Sequence, residues 1–543
     1  MGSSPSPGER VGLQRNLADL VTAAAERGPE HPALIDPVSG EIVRWAELDR
    51  AVDAEARRLR ASQVNPGDRV LIRLPSSAAF SVALFGALRA GGVAVPVGTG
   101  AASRELELIV ADSSPSVVVG LPDDEVLGTA AATDGVTVLD APRIDEEAAG
   151  GEPSVGGGED IAVLSYTSGT TGVPRGVQLS HRALLANRAQ IDALRPAPVT
   201  PGDRVLLTLP LFHIFGLGAG LLQVCWAGAT GVLVNRFDPA ATLEVIREHR
   251  ITVVAGVPAM YRAWLDLPAE LLRARFNSAR LCTAGGAPLP AHLLGAFAAA
   301  TGLEIIEGYG LTETGPVLTS NQVSGVAKPG SVGRPLPGGP GVAPVEIRLV
   351  DSSGRPLDEP DGLGDVVFGG EDDLPGSAAD DEEDELEGLR DPVHDTGLVA
   401  ARGPNLFSGY WPDGAGGPDE QGWFRTGDVG FFDGEGDLHL VDRTSDLVIV
   451  NGFNVYPREV EQVLMEHPAV AEAAVVGVPD DRSGEAVKAV IVLQADRGSE
   501  LTEQDVREFC TQRLARFKVP TVVQFVEQLP RSPIGKLYRR SLR

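Results

Sequence analysis

The chain has 543 residues, 43% of them hydrophobic and 22% charged, and a formal net charge of -29. That length exceeds one ordinary core and predicts two or more packed units. The acidity argues against nucleic acid and anionic membrane surfaces as partners, because both demand basic patches. Cys225, Cys282 and Cys510 stand far apart without CxxC spacing, so neither a zinc site nor a disulfide framework is expected, and a reducing cytoplasmic compartment fits.

Met1 to Arg10 is polar and rich in Ser, Pro and Gly, unlike the apolar stretch of a secretory signal. No run of ~18 apolar residues predicts a membrane span. Helical periodicity covers Asn16–Arg27. Short apolar runs then recur with helical segments between them, at Val70–Leu74, Val93–Val97, Val117–Val119, Ile161–Tyr166, Val205–Leu209, Gly231–Val234 and Ile251–Ala255. Such alternation predicts an α/β fold. Beyond about Gly338 the pattern becomes β-rich, with strands at Val345–Val350, Gly364–Phe368, Gly430–Phe432 and Leu438–Val441. From Arg443 it turns to α+β, with a helix near Pro457–His467 and strands near Ala473–Val478 and Val487–Leu493. This last stretch has the ~100-residue length of a small domain. Between Glu371 and Asp391 stand eleven acidic residues and one basic residue. That charge density resists packing and predicts a solvated surface loop, with a regulatory or partner-binding loop as the alternative.

The densest chemistry follows the run Ile161–Tyr166. Tyr166 to Gly176 reads YTSGTTGVPRG. Gly169, Gly172 and Gly176 let the backbone turn its N–H groups into a concavity, and Thr167, Ser168, Thr170 and Thr171 add hydroxyls, which together make a nest for a polyanion. Arg175 supplies forked cationic donors suited to phosphate oxygens. The string is not a Walker A loop, and Gly216, Gly218 and Gly220 do not form the GxGxxG of a dinucleotide fold.

YTSGTTGVPRG resembles the phosphate loop of the adenylate-forming superfamily, whose members include acyl- and aryl-CoA ligases, peptide-synthetase adenylation domains and luciferases. The likeness runs from about Leu17 to Arg543 with the motifs in family order. It implies a large N-terminal domain, 1–441, of α/β subdomains plus a distorted β-barrel. It also implies a small mobile α+β domain, 442–543, with a hinge at Asp442. Arg175 replaces the family's usual Lys. LPLFHIFG, Leu209–Gly216, implies that His213 and the neighbouring aromatics border the acyl pocket and the thiol route. GYGLTETGP, Gly308–Pro316, implies that Tyr309 stacks on adenine between Gly308 and Gly310, Thr312 bonds phosphate and Glu313 holds Mg²⁺, an ion that takes oxygen ligands. Gly285, Gly286, Ala287 and Pro288 are implied to lie where backbone approaches nucleotide and acyl chain. In WFRTGDVG, Asp428 is the expected ribose ligand. Arg443 is expected at ribose and phosphate, and Gly452 and Phe453 belong to the loop implied to line the pantetheine channel. In PRSPIGKLYRR, Lys536 resembles the mobile lysine that clamps carboxylate and α-phosphate.

The resemblance therefore implies an ATP- and Mg²⁺-dependent ligase that forms an acyl-adenylate and passes the acyl group to coenzyme A. It is most like a fatty acyl-CoA ligase. Gly216, Val257, Ala284, Gly285, Gly286 and Leu311 suit an apolar acyl or aryl tail. Malonate-activating relatives tend to carry Arg where Gly308 stands, so a dicarboxylate is not expected. Delivery to an acyl carrier protein is the rival outcome. A non-catalytic nucleotide binder is disfavoured by the intact Glu313, Asp428, Arg443 and Lys536, and no feature selects a luciferase-like oxygenase.

Overall fold

The structure is a computed structural model. It describes residues 15–124, 127, 136–144, 151–168, 174–357, 396–443, 446–450, 453–480, 484–494, 501–531 and 537–543. The predicted acidic loop and the run Gly364–Phe368 lie outside the described residues. The chain divides into two units. The first comprises Met1–Glu346, Ala401–Phe424 and Leu529–Leu542; the second comprises Ile347–Ala400, Arg425–Gln528 and Arg543.

The first unit opens with β1 (Pro32–Ile35) and β2 (Ile42–Arg44). Then come β3 (Arg69–Arg73), β4 (Val93–Pro96), β5 (Val117–Gly120), β6 (Thr137–Asp140), β7 (Ile161–Ser168) and β8 (Pro174–Ser180). These last six form one sheet in the order β6-β5-β3-β4-β7-β8. It is parallel except for the β7–β8 pair. Parallel strands need both faces covered, and every residue of β4 and β5 is buried, as their unbroken apolar sequences require.

The unit continues with β9 (Arg204–Leu207), β10 (Thr230–Leu233), β11 (Val253–Gly256), β12 (Leu281–Ala284) and β13 (Ile305–Tyr309). The short strands β14 (Thr319–Ser320) and β15 (Ser331–Pro335) complete it. The order is β15-β14-β13-β12-β11-β9-β10-β1-β2, with the run from β13 to β1 parallel. Its main core is mostly aliphatic around an aromatic cluster. Tyr261 packs edge-to-face on Trp264 and Phe297, and Phe276 packs likewise on Trp264 and Phe297, at centroid distances of 5.1–5.5 Å, a geometry favoured by the ring quadrupoles.

In the second unit β16 (Glu346–Val350), β17 (Gly397–Arg402), β18 (Trp423–Phe432) and β19 (Leu438–Arg443) follow one another in space. The strands β20 (Val448–Val450), β21 (Phe453–Val455), β22 (Val470–Asp480), β23 (Gly484–Leu493) and β24 (Val522–Val526) make a separate sheet. Over it lie the helices Pro457–Met465 and Glu503–Thr511, whose Val460, Leu464, Val506 and Cys510 join Val475, Val487 and Ile491 in one core. Among the described residues no helix is long and apolar enough to cross a membrane.

The predicted strands all appear where described. The N-terminal helix starts at Asp19, three residues later than its periodicity suggests. Asn16 is instead a tie: its side chain donates to the Leu88 and Val155 carbonyls at 2.8 and 2.9 Å. Next to it, the Leu17 N–H donates to His181 Nδ1 at 2.8 Å. His181 is 3% exposed and opens a helix, His181–Asp192, whose first turn is capped by Ser180. Burial, opposed only by Asp160, brings its imidazole down to about 4, so the native state holds it neutral.

Below the ordinary value of 6.5 the unfolded chain takes up a proton that the native chain refuses. The full stabilisation is present above pH 6.5 and is lost as pH falls toward 4, by about 3 kcal/mol at most. Thermal unfolding followed from pH 7 to 4.5 is expected to show this loss. His181→Asn, which keeps an acceptor for the Leu17 N–H, is expected to flatten it.

Candidate active site

The first unit brings several of the expected residues to one edge of its sheet. The parallel strands β11, β12 and β13 lie side by side, with Gly256 opposite Ala284 and Ala284 opposite Glu307. Their carboxyl ends therefore deliver Val257, the Gly285–Pro288 loop and Gly308 to the same level. In open parallel sheets that edge is where ligands bind. The glycines are required there by contact. A Cβ on Gly285 would lie 3.1 Å from the Gly308 carbonyl and 3.4 Å from the Phe215 ring, and Gly286 holds φ +78°. Leu289 N–H donates to Glu307 at 3.3 Å, tying the loop to β13; Glu307 escaped the sequence reading.

Tyr309 ends β13 and is 8% exposed, and Thr312 is 9% exposed. Thr312 and Glu313 sit in a single tight turn closed by Thr314. The Thr314 hydroxyl is fully buried, accepts from Leu311 N–H at 2.8 Å and lies 2.8 Å from the Pro316 carbonyl. Gly310 passes so close to Pro316 that a Cβ would stand 1.8 Å from its carbonyl oxygen.

The phosphate-loop motif is a hairpin. Thr167 faces Arg175 and Ser168 faces Pro174 across β7 and β8. Gly169, Thr170, Thr171 and Gly172 lie outside the described residues. Tyr166 donates to Asp112 at 2.5 Å. Arg175 is exposed, and among the described residues it has no carboxylate partner. Its guanidinium instead lies over the Tyr410 ring, 3.5 Å from the centroid, a cation–π stack. The same Tyr410 donates its hydroxyl to Glu313 Oε1 at 2.8 Å. Burial and the Glu313 carboxylate hold that phenol well above its ordinary value, with Arg175 opposing.

Tyr410 belongs to GPNLFSGYW, a stretch with no phosphate- or metal-binding signal of its own. This segment runs antiparallel along β8. Ser408 N–H donates to Gln178, Gln178 N–H to Gly409 and Trp411 N–H to Gly176, at 2.8–3.1 Å. It also reaches the other motif, since Phe407 N–H donates to the Glu313 carbonyl at 2.9 Å and Asn405 Nδ2 to the Thr314 carbonyl at 2.8 Å.

Phe215–Leu222 forms a wide π-helical turn, a local form that often marks functional sites. His213 is half-buried just before it, and its Nδ1 accepts from Phe215 N–H at 3.2 Å. Gly216 has a structural reason: a Cβ there would stand 2.3 Å from the Pro210 carbonyl, so its lack of a side chain serves backbone packing. Behind the turn Arg188 is fully buried and faces no carboxylate among the described residues. Its guanidinium donates to the Gly218 carbonyl, to the Gly315 carbonyl at 3.2 Å and to Asn187 Oδ1 at 2.5 Å. Burial lowers it to about 9.

The second unit carries Asp428 and Arg443, paired across β18 and β19. Asp428 is 4% exposed and its N–H bonds Thr426 Oγ1 at 3.1 Å. Asp442 accepts from Arg458 N–H at 2.9 Å, at the first turn of the helix Pro457–Met465. Phe453 begins β21. Gly452 and Lys536 lie outside the described residues.

Among the described residues no group of three or more His, Cys, Asp or Glu could cage a metal. A lone carboxylate whose second oxygen meets no donor among the described residues, as at Glu313, suits Mg²⁺, which keeps waters and shares nucleotide phosphates.

The parallel-sheet edge, its glycine-lined backbone and the turns around it define an α/β ligand-binding site. Comparison with known proteins agrees. The AMP-binding enzyme model matches residues 21–376, and the AMP-binding enzyme C-terminal domain model matches 459–536. The chain belongs to the AMP-binding enzyme family. A feruloyl-CoA synthase from an Amycolatopsis species is 35% identical over 93% of this chain and 94% of its own. A long-chain-fatty-acid–CoA ligase from Escherichia coli is 32% identical over 97% and 94%. The o-succinylbenzoate coenzyme A synthetase of Bacillus subtilis, solved with ATP and magnesium ion, superposes with a TM-score of 0.77 at 29% identity, over 96% of this chain and 98% of that one. Within its family the chain is an acid–thiol ligase.

The Gly310 contact yields a direct test. Gly310→Ala forces a methyl against a carbonyl that cannot retreat, and should cost about 1–3 kcal/mol together with nucleotide binding. Gly295→Ala, in open helix surface, should be neutral or stabilising by up to about 1 kcal/mol. Denaturant midpoints and nucleotide titration of both variants check this.

Proposed function

We propose that the protein activates a fatty acid as its acyl-adenylate and transfers the acyl group to coenzyme A, releasing pyrophosphate and then AMP. The observation that carries this reading is the Arg175–Tyr410–Glu313 arrangement, a phosphate-directed cation and a metal-directed carboxylate on one side chain. The relatives' names, one for a feruloyl and one for a long-chain fatty acid substrate, support an apolar acid. The small residues at the ends of β11 and β12 support the same. An aryl acid is the second reading, favoured by the Phe215 ring lying against Gly285, where a planar acid could stack.

In the first half-reaction a carboxylate oxygen attacks the α-phosphorus and pyrophosphate departs. Two anions must meet, so the barrier is largely electrostatic. Arg175 and the hairpin N–H groups hold the departing phosphates, Thr312 bonds phosphate, and Tyr309 with the Gly286–Pro288 loop positions the base. Mg²⁺ held at Glu313 would offset charge on the phosphate oxygens. Asp428 and Arg443 are assigned to the ribose. Lys536 is assigned to bridge carboxylate and α-phosphate. In the second half-reaction the C-terminal domain, 442–543, turns about Asp442, withdrawing Lys536 and presenting Gly452 and Phe453 along the pantetheine route past His213. The thiolate then attacks the acyl carbon and AMP leaves.

Lys536→Ala is expected to slow acyl-adenylate formation by about 10²-fold or more while sparing thioester formation from supplied acyl-AMP. Equal loss in both steps would remove Lys536 from its role. AMP release over medium- and long-chain fatty acids and hydroxycinnamic acids, with and without coenzyme A, should peak on a fatty acid and depend on the thiol. Turnover only with a carrier protein would assign the acceptor differently.

A further inference from the structure

We propose that Tyr410 is a positioning residue for nucleotide activation, its hydroxyl orienting the Glu313 carboxylate and its ring seating Arg175. The proposal rests on the assignment of Glu313 to the magnesium–nucleotide complex.

The side chain is held from several directions. Tyr410 pairs with Val177 of β8, its carbonyl accepts from Gln178 Nε2 at 3.0 Å, and its N–H donates to the Ala415 carbonyl at 3.0 Å. The tight turn after it depends on glycine: Gly409 has φ +107°, and a Cβ there would stand 1.9 Å from the Gly414 carbonyl oxygen. Phe407 packs edge-on against the ring at 5.1 Å and is itself braced by Phe424 at 4.9 Å. A ring fixed this way has little freedom left, so its hydroxyl marks one point in space. At that point it donates to Oε1 of Glu313, and among the described residues nothing else donates to that carboxylate.

The consequence is directional. A neutral donor on Oε1 leaves the Glu313 charge intact and stops the carboxylate from rotating, so Oε2 is the oxygen offered to a hard cation. Outer partners of this kind tune metal affinity. On its face the same ring carries Arg175, which has no anion of its own among the described residues. Anion and cation are thus spaced by one rigid side chain instead of collapsing into a direct ion pair, which would consume both before the nucleotide arrives.

The test uses the full chain and a non-hydrolysable ATP analogue, titrated by calorimetry with Mg²⁺ and with chelator. Tyr410→Phe keeps the ring and loses the donor. Its affinity for the magnesium complex is expected to fall about tenfold, its affinity for the metal-free analogue to stay within about twofold, and its melting temperature to stay near wild type. Equal loss with and without Mg²⁺, or no loss, overturns the proposal. If the phenylalanine variant does not fold, Tyr410→Gln and Tyr410→Leu replace it, since only the first keeps a donor for Glu313. Equal Mg²⁺ dependence in those two overturns it. Glu313→Gln separates the layers: if that variant keeps full Mg²⁺ dependence, the carboxylate assignment itself fails. If it loses that dependence while Tyr410→Phe keeps it, only the role of Tyr410 fails.

Discussion

The site depends on one backbone pairing, the run of Ser408–Trp411 along β8. Hydrogen bonds at 2.8–3.1 Å attach a segment more than 200 residues away in sequence to the outgoing arm of the phosphate hairpin. Phe407 and Asn405 carry the attachment onward to the carbonyls of Glu313 and Thr314. The hairpin and the Thr312–Glu313 turn come from different sheets. The bridging segment joins them, and the helix His181–Asp192 after β8 also bonds the Gly315–Val317 turn. Because the bonds are backbone to backbone at almost every step, the spacing tolerates changes in most side chains but not in the glycines, whose missing Cβ atoms allow the close approach.

This explains why the site could be read from sequence only in part. The strings that point to a site are local: YTSGTTG, GYGLTE and TGD each gather their glycines and polar groups within a few consecutive residues. The buried strands were equally legible, because β4, β5 and β11 are covered on both faces and their apolar runs are uninterrupted. GPNLFSGYW carries no comparable local signal. Its role arises from pairing across 232 positions to Gln178, which no periodicity encodes. Gly216 illustrates the opposite error. A small residue near a proposed pocket reads as room for substrate, yet here the space is occupied by the Pro210 carbonyl. The short strands β14 and β15 were missed because two to five residues between glycines and prolines give too few positions for an alternation to register.

Arg188 shows a further constraint that composition hides. A fully buried guanidinium without a carboxylate is costly unless its donors are met. Here the two Nη groups are met by carbonyls of Gly218 and Gly315 and by the Asn187 side chain, which bonds back to Val317 from both its nitrogen and its oxygen, while Nε is buried without a partner among the described residues. The helix His181–Asp192 thereby clamps the π-helical turn on one side and the Gly315–Val317 turn on the other. Gly218 completes the clamp, since a Cβ there would lie 2.5 Å from Pro316. An apolar side chain at 188 would pack but would leave the Gly218 and Gly315 carbonyls unsatisfied, so the charge is best understood as a source of many donors.

Charge also frames how a protein of net -29 can attract a polyanionic nucleotide. At physiological salt the screening length is ~8 Å, so distant acidic residues matter less than those around the site. Within the first unit Arg175 has no carboxylate partner among the described residues, Arg188 lies buried beside the Gly315 carbonyl, and the Glu313 carboxylate accepts from the Tyr410 hydroxyl. The overall acidity therefore acts on solubility and self-association, while the local field is set within one screening length by a few residues. The same reasoning bears on Arg175, where the resemblance leads to a Lys. A planar guanidinium stacks on the Tyr410 ring and still projects donors from its edge, so the cation can be seated by the protein before any phosphate reaches it.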